Sequence, residues 1–227
     1  MDKELSKTMK TRWEDFHTKE RFQPKYPADD VVRFVFTHFP KDLKERSNLK
    51  ILDLGCGAGA NAVFLAKEGF QTYATDISEQ GLRVTEKRLK EEDLKAILEN
   101  VSMEKQPFPD DFFDGVISFG VLYYNTADNY QKAVDEIYRT LKKGGKALIF
   151  TRTIDDYRFG KGEEVGKNTF VLNTKDTNEQ DMVNFFLEKK DADKIFNKFE
   201  EIIIEKTETT FCNSQKKNSN WIIQVQK

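Results

Sequence analysis

Two hydrophobic patterns take turns along this chain. Short apolar runs stop at a glycine or an aspartate, as strands do, and longer stretches repeat their apolar residues at helical spacing. The pattern predicts helices over Glu4 to Lys19 and Asp29 to Phe39, parted by Pro24 and Pro27. A strand follows at Ile51, Leu52 and Leu54, then the glycines Gly55, Gly57 and Gly59, then a helix through Ala62, Val63, Phe64, Leu65 and Ala66. Gln71 to Thr75 reads as a second strand ending at Asp76, and Ser78 as the cap of a helix over Glu79 to Glu92. Strands are expected at Lys95 to Glu99 and Gly115 to Phe119. A helix over Ala127 to Leu141 is expected to stop at Lys142, Lys143, Gly144 and Gly145, before a strand at Lys146 to Thr151. The regular pattern lapses from Arg152 to Asn184. It resumes with a helix near Lys189 to Phe199 and strands at Glu201 to Phe211 and Asn220 to Gln226, joined by the hairpin loop NSQKKNS. This is an α/β chain, and 227 residues suit one such domain spanning 1–227.

The stretch KILDLGCGAGAN, from Lys50 to Asn61, carries the first chemistry. Glycines between a strand and a helix let backbone approach a ligand, and the helix start turns free N–H groups toward it. Gly55, Gly57 and Ala60 also satisfy the G-x-G-x-x-A form of a dinucleotide fingerprint, so a nicotinamide-dependent oxidoreductase stays open at this point. Asp53 weighs the other way, because a carboxylate at the mouth of the turn can hold a cationic amine but would face a pyrophosphate with like charge. Asp76, at the tip of the second strand, is placed to accept hydrogen bonds from a ribose diol.

The spacing of Asp53, Gly55, Gly57 and Gly59 resembles the first motif of the class I, S-adenosylmethionine-dependent methyltransferases of the small-molecule type. Pro107, Phe108, Pro109, Phe113 and Asp114 ahead of the fourth strand, and the phrase LKKGGKALIF, extend the resemblance over about two thirds of the chain. It implies a Rossmann-like, doubly wound, seven-stranded and mostly parallel sheet with an antiparallel last strand. It implies S-adenosylmethionine as cofactor and S-adenosylhomocysteine as product. The cofactor seat it implies comprises Asp53, Gly55, Cys56, Gly57, Gly59, Asn61, Asp76, Ile77, Ser102, Met103 and Phe119, roofed by Trp13 and Tyr26 from an N-terminal helical arm, residues 1–45. Ser102 stands where many relatives have the Asp that accepts from the adenine amine, so the ring edge is left to the backbone of Met103.

A sulfonium methyl is already electrophilic, so alignment and exclusion of water matter more than a base. His17, Tyr123 and Tyr124 are the candidate catalytic groups. Residues 152–184 leave the C-terminal end of a strand, where open α/β sheets bind ligands, and are read as a substrate lid. Within it Arg152, Asp155 and Arg158 could hold a phosphate or carboxylate, and a salt-bridged loop explains them equally well. The acceptor is therefore expected to be a small molecule methylated on oxygen or nitrogen, such as a sugar or a phosphorylated or carboxylated metabolite. A non-catalytic binding module is the other alternative.

Composition adds exclusions. With 37 basic and 39 acidic residues there is no net basic field to collect nucleic acid. No apolar run approaches a membrane span, and the first residues form no signal sequence, so a cytoplasmic monomer or homodimer is expected. Cys56 and Cys212 lie far apart with no neighbouring histidines, so neither a disulfide nor a metal site is expected.

Overall fold

The computed structural model describes residues 3–174 and 177–227, so the outermost two residues of the expected arm and residues 175 and 176 of the expected lid lie outside the described residues. Its centre is a seven-stranded sheet made of β1 (Lys50–Leu54), β2 (Gln71–Asp76), β3 (Ile97–Asn100), β4 (Phe113–Phe119), β5 (Leu141–Arg152), β9 (Glu201–Phe211) and β10 (Lys216–Gln226). The strand order is β3-β2-β1-β4-β5-β10-β9. The first five strands run parallel, and β10 is antiparallel to both β5 and β9. The last strand in sequence therefore sits inside the sheet and not at its edge.

Alternation along the strands builds two cores. Ile51 of β1, Ile117 of β4 and Leu148 of β5 meet Val31, Phe34 and Val35 of α2 (Asp29–His38) and Leu65 of α4 (Ala60–Lys67). Their neighbours Leu52, Val116, Ala147 and Ile149 point the other way, onto Tyr130, Val134 and Ile137 of α6 (Ala127–Thr140) and Ala192 of α7 (Lys189–Ile195). With both faces covered, the sheet is doubly wound, as expected. Helix α5 (Glu79–Glu91) packs beside α4 and begins at Ser78, whose hydroxyl accepts from the Gly81 N–H.

Three boundaries differ from expectation. The residues Lys142 to Gly145 do not stop α6 in a glycine turn. Leu141 is already extended and pairs with Phe113, and Lys142 reaches Asp114 at 2.7 Å, so β5 starts five residues early and absorbs the glycines in a bulge between Phe113 and Gly115 pairings. The β9–β10 hairpin closes around Cys212, Asn213 and Ser214, all with positive φ, and pairs Phe211 with Lys216. The expected seven-residue loop is thus mostly strand.

The third difference is the expected lid. Residues 152–184 hold a small antiparallel sheet of β6 (Gly162–Gly166), β7 (Thr169–Leu172) and β8 (Val183–Phe185). Helix α1 (Lys3–His17) packs Met9 and Phe16 on Met182 and Val183 of this sheet, with Trp13, Phe22 and Tyr124 around them. Arm and insertion form one roof over the C-terminal strand ends.

Candidate active site

β1 runs into a turn whose glycines, Gly55, Gly57 and Gly59, all have left-handed φ of 75°, 53° and 82°. A Cβ on Gly55 would stand 2.4 Å from Cγ2 of Val121, and one on Gly59 2.6 Å from Oγ1 of Thr85, so a larger residue fits at neither. The bare backbone faces a cavity of about 420 Å³. That cavity brings together Gly55, Cys56, Gly57, Asn61, Asp76, Ile77, Ser102, Met103 and Phe119 with Trp13, His17 and Tyr26 of the arm. Gly59 lies behind the turn and shapes it.

Asp76 is buried and its two oxygens accept from the N–H groups of Gly57 and Ser78, each at 2.8 Å. Burial raises its pKa most, against the opposing pull of the Ser78 N–H, the His17 charge and the Gly57 N–H. Each oxygen keeps a second lone-pair direction for a ligand hydroxyl. Asp53 lies one layer deeper, 1 % exposed, behind the cavity lining. Its Oδ2 is buried without a hydrogen-bond partner among the described residues. Burial first, and then the charge of Asp76, push its carboxyl up to about 7, with only the Ala62 N–H and Asn61 opposing. A cation nearby would satisfy this orphaned oxygen.

His17 is held at the same end of the cavity. Its Nδ1 is 3.0 Å from Oγ of Ser78, and its ring edge lies against Gly57 and Gly81. Burial lowers its pKa, although the charges of Asp76 and Glu14 pull it up. This places the ring among the residues around Asp76, in the wall of the cavity. Just beyond β3, Ser102 is exposed and Met103 buried, and two residues that sequence reasoning missed, Glu104 and Asn125, join at 2.6 Å while lining the cavity. An acid two residues beyond Ser102 was the available signal for Glu104. The third missed residue, Glu14, has no signal in an amphipathic helix, because its role is visible only in the tertiary contact. It accepts from the N–H groups of Glu79 and Gln80 at 2.8 and 2.9 Å and so docks α1 on the start of α5.

The remaining predicted residues separate. Tyr124 lines the cavity and meets Trp13 edge-on at 4.8 Å. Tyr123 does not line it; its ring lies 4.2 Å beneath the guanidinium of Arg152. Arg152 is buried and gives two hydrogen bonds to Glu179, at 2.5 and 2.7 Å, and a third to Asn184. Arg158 is bound to Asp156 at 2.8 Å and to Asn218 at 3.2 Å. Asp155 stands exposed and paired with Lys206 at 2.7 Å, outside the cavity, because the chain turns outward there. Of the two readings left open for Arg152, Asp155 and Arg158, these contacts form a salt-bridged loop, with Arg152 and Arg158 paired to Glu179 and Asp156 and with Asp155 apart from them.

The donor set fits a nucleoside carrying a cationic chain. A glycine turn leaves room for backbone approach, Asp76 offers paired acceptors suited to a diol, and Asp53 holds an unsatisfied oxygen behind the turn. A family model described as "Methyltransferase domain" matches residues 51–145. The Ubiquinone/menaquinone biosynthesis C-methyltransferase of Pectobacterium carotovorum is 38% identical over 113 residues, 46% of this chain and 43% of that protein, so the match spans less than half of the curated relative. Among solved structures, an S-adenosylmethionine-dependent methyltransferase from Methanosarcina mazei matches with TM-score 0.69 at 18% identity, covering 86% of this chain and 96% of its own. The Burkholderia thailandensis 1,6-didemethyltoxoflavin-N1-methyltransferase, solved with 1,6-didemethyltoxoflavin and S-adenosylhomocysteine, matches with TM-score 0.69 at 12% identity over 98% of this chain and 89% of its own. At such identities the two structures speak for the fold. The domain match, the strand order and the glycine turn with its two aspartates agree: residues 51–145 match the methyltransferase domain family, and the chain has the fold of the S-adenosylmethionine-dependent methyltransferases.

Proposed function

We propose that this protein transfers the methyl group of S-adenosylmethionine to a small-molecule acceptor. The observation that carries the proposal is the cavity at the C-terminal ends of β1, β2 and β4, where the glycine turn and Asp76 face a roof made by Trp13 and His17. When bound, the cofactor would supply an electrophilic methyl: its sulfur would keep the electron pair of the broken C–S bond, and the acceptor atom would supply the pair of the new bond and lose its proton to water.

The chain's residues bind and exclude. Asp76 takes the ribose hydroxyls, Gly55 and Gly57 admit the amino acid chain, Asp53 lowers the cost of its ammonium group, and Met103 packs on the base. Trp13 keeps water out, whereas Tyr26, 75% exposed, only borders the cavity and does not roof it as expected. Tyr124 follows β4 and lines both the cavity and the space beneath the insertion, as Trp13 and Phe22 of the arm also do, which suits it to an acceptor role. With Arg152 and Arg158 already matched to Glu179 and Asp156, a phosphorylated or carboxylated acceptor is disfavoured, and a neutral oxygen, nitrogen or ring carbon nucleophile is preferred. Ring-carbon methylation is the second reading, resting on the name of the Pectobacterium relative. A cytoplasmic site of action, as monomer or homodimer and without nucleic acid, belongs to the same proposal; no helix among the described residues is long and apolar enough to cross a membrane.

Calorimetry with S-adenosylmethionine, S-adenosylhomocysteine and NAD tests the proposal. Micromolar binding of the first two and none of the third is expected. Stabilisation by NAD alone would restore the dinucleotide reading. Binding without turnover across acceptor screens would leave a non-catalytic module.

A further inference from the structure

A second cavity of about 360 Å³ lies between the arm and the insertion, and shares Trp13, Phe22 and Tyr124 with the first as a common wall. Its walls come from four separate parts of the chain. Trp13 and Tyr124 form one edge-on pair at 4.8 Å, and Tyr157 with Phe211 of β9 form another at 5.4 Å. Aromatic faces and edges arranged this way suit a flat ring, which can stack or meet them edge-on.

The polar side of the cleft is charge-neutral. Arg158 and Glu179 both line it, and Arg152, Arg158, Glu179 and Asp156 are two cations against two carboxylates. Both terminal nitrogens of Arg158 are engaged, by Asp156 and Asn218. Its Nε is buried without a hydrogen-bond partner among the described residues, 3.6 Å from Glu179 and too far to bond it. Lys161 and Lys216 approach the Tyr157 ring at 4.9 and 5.5 Å but do not line the cleft.

We infer that this cleft is the acceptor site, and that it takes an uncharged, planar aromatic or heteroaromatic ring bearing an oxygen that accepts from Nε of Arg158. The inference rests on the proposed methyltransferase function and names its substrate class. A charged acceptor would have to break an existing ion pair to be paired, and a saturated ring would waste the aromatic walls.

The test is calorimetry on the full chain saturated with S-adenosylhomocysteine, using four probes: 2-naphthol, 2-methylnaphthalene, decahydro-2-naphthol and 2-naphthyl phosphate. The expected result is that 2-naphthol binds about tenfold tighter than each of the other three. Tyr157→Ala and Phe211→Ala should each weaken 2-naphthol about tenfold while the affinity for S-adenosylhomocysteine stays within twofold. Equal binding of the planar and saturated alcohols overturns the inference, as does tighter binding of the phosphate ester. So does sensitivity of 2-naphthol to Asn220→Ala and Thr207→Ala with none to Tyr157→Ala, since that would seat the ring in the polar cavity beside Phe119. Failure of S-adenosylhomocysteine to bind overturns the methyltransferase function instead, and probe selectivity measured without it still decides the character of the cleft.

Discussion

Nδ1 of His17 stands 3.0 Å from Oγ of Ser78, and the same oxygen is 3.1 Å from Oε2 of Glu14. A hydroxyl has one proton to give, and a carboxylate can only accept it. Ser78 therefore donates to Glu14, and His17 must present Nδ1–H to Ser78, which also accepts from the Gly81 N–H at 3.0 Å. In neutral His17 the remaining lone pair is on Nε2, beside Gly57 in the cavity wall. One hydroxyl thus fixes a tautomer, caps a helix and ties the roof to the floor.

Ser78→Ala removes all three functions. Loss of a helix cap alone costs about 1 kcal/mol. The expected outcome is a lower melting temperature and a roughly tenfold weaker S-adenosylhomocysteine affinity, about 1.4 kcal/mol. Hydrogen exchange should become faster across α1 and not across α6. Unchanged protection of α1 would mean that the arm is held by its contacts with Met182 and Val183 alone.

Asp76 serves both structure and ligand, and two substitutions divide these roles. Asp76→Ala leaves the buried N–H groups of Gly57 and Ser78 without their acceptor, each worth about 1–3 kcal/mol, and should lower stability along with a tenfold or greater loss of cofactor affinity. Asp76→Asn retains one acceptor oxygen. It should recover part of the stability and little of the affinity, because a neutral amide accepts more weakly from a ribose diol. Calorimetric affinity equal to wild type in either variant would put the ribose elsewhere.

Asp53 gives a pH signature of opposite sign to an ordinary ion-paired carboxylate. Its folded-state value of about 7 lies above the ordinary 3.8, so between these values the folded protein holds a proton that the unfolded chain has lost. Stability without ligand should therefore fall as pH rises from about 4 to about 7 and level off above, by about 4 kcal/mol from this group. Asp53→Asn should melt higher than wild type at pH 8 and equally at pH 4, while binding the cofactor more weakly. Binding near pH 6 should release protons, read as a dependence of the calorimetric heat on buffer ionisation enthalpy. Heat that does not change with buffer would mean that the ligand's ammonium group is not sensed by Asp53.

The parts of this fold that were legible in the sequence are those set by local period and turn chemistry. β1, α4, β2 and α5 follow from the run Ile51 to Leu54, the glycines after it and Ser78 as a cap, and Gly55, Gly57 and Asp76 of the same stretch line the cavity. Where the sequence reading missed, a distant partner decided. Asp114 drew Lys142 and its glycines into β5, and Glu179 ordered an insertion whose strands are short, from 3 to 5 residues each. His17 and Glu14 acquire their surroundings only where the arm packs on the start of α5, and Glu104 only through Asn125, which follows β4. Arg152 and Arg158 were ambiguous for the same reason, since an arginine's sequence neighbours do not name the carboxylate it will meet.

That meeting supplies the last prediction. Arg152 is 4% exposed and anchored by Glu179, Asn184 and the Tyr123 ring, so it clamps the insertion to the end of β5. Arg152→Ala strands a buried carboxylate and should cost about 3–5 kcal/mol, with faster proteolysis within residues 162–185. Replacing both partners, Arg152→Met with Glu179→Leu, removes two charges together and should restore most of that loss. An anion-binding arginine behaves differently: inorganic phosphate would raise the wild-type melting temperature, and Glu179→Leu alone would strengthen that effect. No effect of phosphate on wild type, together with rescue in the double variant, is the expected result. Stabilisation by phosphate at millimolar concentration would return Arg152 to substrate binding.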